Sequence, residues 1–82
     1  MKKLMDEILH DIKLERIKQD EKWGAVGAFK GDNYRALAVL AEEFGEVARD
    51  CLEHNNEHLK EELVQVAAVC VKWLQMIEDA NE

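Results

Sequence analysis

Proline is absent from this 82-residue chain and glycine appears only four times, so little in it interrupts a helix. Cysteine is limited to Cys51 and Cys70, with no CxxC spacing, which excludes a disulfide framework and a zinc knuckle. Both thiols fall on apolar helix faces and are expected to be buried and inert. Basic residues are scarce: 11 Lys and Arg stand against 18 Asp and Glu, a net charge of -7. That balance argues against a nucleic-acid partner, whose backbone is bound by clustered Lys and Arg. An anionic ligand would need a bridging cation. No apolar run approaches the length of a bilayer span, and the N-terminal MKKLMDEILHDIK mixes charges into its apolar residues instead of forming a signal-peptide core. A cytoplasmic protein with no membrane partner is the expectation.

What the chain has is apolar content, 48%, arranged at helical spacing. From Lys3 to Lys22 the residues Leu4, Met5, Ile8, Leu9, Ile12 and Ile17 recur mostly at three- and four-residue steps, the pattern of an amphipathic helix. Residues 23 to 33, WGAVGAFKGDN, hold three of the four glycines and read as a loop, with Asp32 or Asn33 available as the next N-cap. A second helix is predicted from about Tyr34 to His54. Its stripe of Leu37, Leu40, Ala41, Phe44, Val47, Ala48, Cys51 and Leu52 is expected to face the bundle. Asn55 and Asn56 mark a short turn, and a third helix follows over about 57 to 79.

That third helix is apolar around nearly its whole circumference, from Leu59 through Val64, Val69 and Trp73 to Ile77. A helix of that kind is a buried one. Two neighbours cannot enclose it, so a second copy of the chain is expected to cover the remainder. The expected architecture is therefore all-α, a single domain over 1 to 82, with a three-helix protomer (about 3 to 22, 34 to 54 and 57 to 79). Its core becomes four-helix-bundle-like on forming a homodimer or homotetramer. In a chain this short, oligomerisation also offsets the small core.

Glu42, Glu43 and Glu46 lie in EEFGE on the second helix, and Glu61, Glu62 and Gln65 in EELVQ on the third. Residues three apart sit one turn above each other, so Glu43 with Glu46, and Glu62 with Gln65, converge on one side of each helix. A short turn makes the two helices antiparallel neighbours, and both pairs then face one volume. Clustered oxygen donors of this type suit a hard cation, magnesium or manganese. The plainer reading of any one such pair is a solvated acidic face. Two pairs at matching spacing, beside an apolar core, point to a site.

The order EExxE, a turn, then ExxD resembles the signature of the MazG-like nucleoside triphosphate pyrophosphohydrolases, an all-α superfamily. Here EEFGE stands at 42 to 46 and ELVQ at 62 to 65, with fifteen residues between Glu46 and Glu62. The resemblance extends from QDEKWG at 19 to 24 through EELVQVAAVCVKW at 61 to 73, most of the chain. It implies cleavage of a nucleoside triphosphate to the monophosphate and pyrophosphate, with Mg2+ or Mn2+ as cofactor. Glu43, Glu46 and Glu62 match the family's metal-binding carboxylates, and Glu42 matches the Glu before them. Gln65 stands where the signature has Asp. An amide oxygen can still coordinate a cation, but it brings no charge and cannot act as a base. The implied catalytic set is Glu42, Glu43, Glu46 and Glu62, with Glu42 or Glu46 orienting the attacking water.

Four more residues complete the expected site. Gln19, Lys22 and Trp23 in QDEKWG combine an amide, a cation and an aromatic plane suited to phosphate and base. Lys72, seven residues after Gln65, returns to the same helical face, where it can meet a phosphate. Lys30 and Arg35 are weaker phosphate contacts. His54 and His58 read as solvated turn residues, since nothing completes a zinc set around them. The competing function is a noncatalytic helical oligomer acting as a nucleotide-binding or protein-interaction module.

Overall fold

The computed structural model describes residues 2 to 24 and 29 to 80, except for the side chain of Trp23. Three helices account for nearly all of it: α1 over Met5–Trp23, α2 over Asn33–Leu52 and α3 over Asn56–Ala80. Among the described residues there is no strand. The helices lie within a residue or two of the expected bounds.

The caps explain where each begins and ends. Glu7 accepts a hydrogen bond from the Leu4 backbone N–H at 3.2 Å, relieving one unpaired donor at the start of α1. Gly24 closes α1 at φ 82, a conformation that favours glycine, and its N–H donates to the Asp20 carbonyl. Asp32 is the N-cap of α2, its Oδ1 accepting from Tyr34 N–H at 2.8 Å. The link to α3 turns on His54, which takes a left-handed φ of 56 and so stops α2. Asn55 then caps α3, accepting from the backbone N–H of His58 at its Oδ1.

The third helix is central: it packs against both α1 and α2, and among the described residues α1 and α2 do not pack on one another. Trp73 Nε1 donates to Asn33 Oδ1 at 2.8 Å, near one end of the α2–α3 pair, while His58 meets Asp50 at the other. These two helices are therefore antiparallel. Arg16 beside Gln75 and Asp20 beside Lys72 give α1 the same relation to α3. Because Arg16 already lies level with Gln75, the first turns of α1 have little of α3 left to cover them. Leu4, Met5, Ile8 and Leu9 are accordingly exposed.

The core is small and divided. Phe29, Ala36 and Val69 are fully buried, with Val39, Leu40, Trp73 and Met76 packed around them. Farther toward the α2–α3 turn the same interface becomes polar and buries Glu62 and Asp50.

Two sequence expectations are corrected here. The α2 stripe expected to face the bundle is split: Leu40 and Val47 turn partly inward, whereas Leu37, Phe44 and Leu52 are exposed, Leu52 to 82%. The thiols follow that stripe, so Cys51 is exposed and Cys70 half-buried instead of both being enclosed. The physical reason is helical phase: Ala36, Glu43 and Asp50, seven apart, set the face toward α3, and the most apolar stripe lies about a quarter turn away.

Candidate functional site

Glu43 and Glu62 meet across the α2–α3 interface. Glu62 is only 6% exposed, and its Oε2 is buried with no hydrogen-bond partner. An unpartnered buried carboxylate oxygen is costly, because it has given up water and received nothing in exchange. The Glu43 carboxyl is pushed up to about 7, first by its own burial, then by a hydrogen bond to Glu62 and by the charges of Glu62, Glu46 and Glu42. Two ionised carboxylates cannot bond to each other. Near neutral pH the Glu43 carboxyl is therefore poised between keeping its proton and losing it.

Glu46 lies one turn along α2 and is partly exposed, with Arg49 Nη1 at 3.8 Å from its Oε2. Glu42 is exposed, close enough for its charge to act on Glu43. Gln65 joins Glu43 in lining an open cleft of about 490 Å³, whose other wall is Glu15, Lys18, Gln19, Glu21 and Lys22 of α1. Gln19 is buried and accepts from Arg16 Nη1 at 3.4 Å. Glu43, Gln65, Gln19 and Lys22 thus line one cleft, while Glu62 lies buried against Glu43, and Glu42 and Glu46 act on Glu43 by charge.

Lys72 does not join them. It is buried on the α1 side of α3, where its Nζ donates to Asp20 Oδ1 at 3.3 Å and lies 5.6 Å from the centre of the Phe29 ring. Arg16 bonds the same Asp20 carboxylate through Nη2 at 3.1 Å and Gln75 Oε1 at 2.9 Å. Partial burial alone would raise the Asp20 carboxyl, but the hydrogen bonds and charges of Arg16 and then Lys72 outweigh it and hold it below its ordinary value. This network lines a separate cleft of about 830 Å³ with Phe29 and Met76. Lys30 and Arg35 are exposed. The Trp23 side chain, and residues 25 to 28 of the glycine loop, lie outside the described residues.

Asp50 was not foreseen, and His58 corrects an expectation: it is not a solvated turn residue like the exposed His54 but lies half-buried in the first turn of α3. Asp50 is 3% exposed and accepts from His58 Nδ1 at 2.7 Å. That hydrogen bond, followed by the Asp50 charge, holds the His58 ring above its usual value, with Glu62 and Glu61 adding to it against the cost of desolvation. His58 Nε2 stands 3.8 Å from Glu62 Oε1. The spacing carried the signal: Asp50 follows Glu43 by seven residues, and His58 precedes Glu62 by four.

The donor set is oxygen-rich and self-repelling, with one oxygen left unsatisfied, which fits a divalent cation. Among the described residues, however, no three His, Cys, Asp or Glu side chains are already gathered closely enough to hold one. Side-chain rotations would have to complete the set. Among the same residues no helix is long and apolar enough to cross a membrane. No family model, curated protein or solved structure matches the chain.

Proposed function

We propose that this chain is a metal-dependent nucleoside triphosphate pyrophosphohydrolase of the MazG-like kind, releasing a nucleoside monophosphate and pyrophosphate. The observation that carries the reading is the buried Glu62, whose Oε2 has no hydrogen-bond partner, beside a Glu43 carboxyl pushed up to about 7. Such a pair is unfavourable without an occupant, and a cation relieves it. A bound magnesium or manganese ion supplies positive charge to phosphate oxygens and acidifies a water.

The chain's own residues supply the rest. Glu43, Glu46 and Glu62 hold the cation, and Gln65 offers a neutral oxygen in the same cleft. Glu42 or Glu46, both more exposed than Glu62, orients the water. Gln19 and Lys22 face Glu43 across the cleft and position the triphosphate; the base-stacking role expected of Trp23 rests on the sequence alone. Lys72, held by Asp20, secures α1 to α3 in place of the phosphate contact its spacing suggested. Clearing noncanonical or surplus deoxynucleotides in the cytoplasm is the role such a reaction serves.

The working unit in this proposal is a homodimer or homotetramer. Helical rotation of about 100° per residue puts Leu37 and Phe44 a quarter turn from Glu43, and Leu63, Leu74 and Ile77 a comparable angle from Glu62. In antiparallel helices these stripes fall on one side, away from α1. All five side chains are exposed in the single chain. Two such faces packed together would make a four-helix core.

The alternative, a noncatalytic oligomer acting as a nucleotide-binding or protein-interaction module, is favoured by Gln65, which lacks the charge of the expected Asp. Incubation with a panel of nucleoside triphosphates and magnesium distinguishes the two. Paired release of monophosphate and pyrophosphate supports the enzyme, and binding without turnover supports the alternative.

A further inference from the structure

Two side chains beside the acidic pair have so far been given no role. His58 stands in the first turn of α3, four residues before Glu62, so its ring lies one helical turn away on the same face. Asp50 is 3% exposed and cannot turn to water. A carboxylate only accepts, so the 2.7 Å contact fixes His58 Nδ1 as the donor. The other nitrogen, Nε2, is then left without a proton in the neutral ring, and Glu62 Oε1 is the carboxylate oxygen beside it.

Their separation of 3.8 Å is too long for a hydrogen bond. Two donors on one ion, with bonds of about 2.0 to 2.2 Å, lie roughly 3 to 3.5 Å apart. A shift of a few tenths of an ångström would bring this pair to that span. Glu62 also carries the buried oxygen that has no partner. An imidazole whose second nitrogen donates to a carboxylate is the usual state of a metal-binding histidine, because that bond fixes the tautomer and raises the basicity of the free nitrogen.

We infer that His58 Nε2 and Glu62 together hold a divalent transition-metal ion of the manganese or zinc class, with Asp50 positioning the ring. The inference rests on the metal-dependent reading above and changes its content: an imidazole nitrogen suits such ions better than it suits magnesium. These two donors are the fixed part of the site. Further positions fall to Glu43, to the substrate phosphates or to water. The competing occupant of the gap is a proton on Nε2, which would make His58 an imidazolium between Asp50 and Glu62.

The test titrates Co2+, Mn2+ and Mg2+ into the metal-free full chain and into His58→Ala, with Co2+ read by its visible absorption. Wild type is expected to bind Co2+ and Mn2+ at least tenfold more tightly than Mg2+. His58→Ala should lose at least tenfold for Co2+ and Mn2+, with altered Co2+ bands, and keep its Mg2+ affinity. Nitrogen-15 NMR of the wild type avoids any folding defect in the variant: Zn2+ should move the His58 Nε2 resonance and leave those of His10 and His54 in place. Co2+ and Mn2+ affinities unchanged in His58→Ala, or an unmoved His58 resonance with Mg2+ still binding, overturn the inference alone. Binding of none of these ions overturns it together with the metal-dependent reading.

Discussion

Asp50 accepts a hydrogen bond of 2.7 Å from His58 across the turn that joins α2 to α3. The contact clasps the polar end of the helix pair, as Trp73 to Asn33 clasps the apolar end. Asp50→Ala should therefore lower Tm by ~4 °C or more. Thermal melts followed by circular dichroism check this, and an unchanged Tm would show that the clasp is not structural.

Stability should fall as pH rises through the neutral range in metal-free protein. The Glu43 carboxyl has an ordinary value of 4.5 and is pushed up to about 7 in the fold, so between those values the native state binds more protons than the unfolded one. Its contribution is then lost as pH rises toward and past about 7. His58, raised from 6.5, acts in the same direction: what it adds is complete below 6.5 and lost as pH rises through its folded value. Glu43→Gln should flatten the decline between pH 5 and 8 and give the higher Tm at pH 8. An equally steep decline in the variant would show that the acidic pair is not its source.

The exposed apolar stripes predict self-association. Analytical ultracentrifugation of the wild type should give a mass of at least two chains, and Phe44→Glu with Leu74→Glu should shift it to one. A monomeric wild type at micromolar concentration would contradict that account.

Most of the fold could be read from the sequence, and the reasons are specific. Asp32 and Asn55 mark helix starts through local hydrogen bonds that depend on few other residues. The absence of proline left the intervening runs helical, and the all-round apolar character of α3 pointed to its central position, although Leu63, Val71, Leu74 and Ile77 are exposed instead of buried. Phase was less legible. The widest apolar stripe of α2 was expected to face inward, yet Glu43 and Asp50 take that position, because their partners Glu62 and His58 lie on a helix that local periodicity cannot see. The fate of Lys72 was hidden for the same reason. Its partner Asp20 is 52 positions away.

Gln65 was legible as a departure from the expected Asp, and it makes a prediction. Gln65→Asp adds a charged oxygen to the cleft it shares with Glu43. If the natural amide limits catalysis, the variant should release pyrophosphate roughly tenfold faster, a step within the 10- to 100-fold range that metal-site partners command. A slower variant would show that the neutral residue is required.

The most direct measurement compares wild type with Glu62→Gln in one assay of pyrophosphate and monophosphate release across nucleoside triphosphates with magnesium or manganese. Glu62→Gln replaces one charge of the repelling pair with an amide that can donate to Glu43, so it should fold with an equal or higher Tm at pH 8. The account predicts one-to-one products from the wild type and a loss of more than about 100-fold in the variant, beyond what a supporting residue costs. No product from any nucleotide, or equal turnover by the stably folded variant, would contradict it.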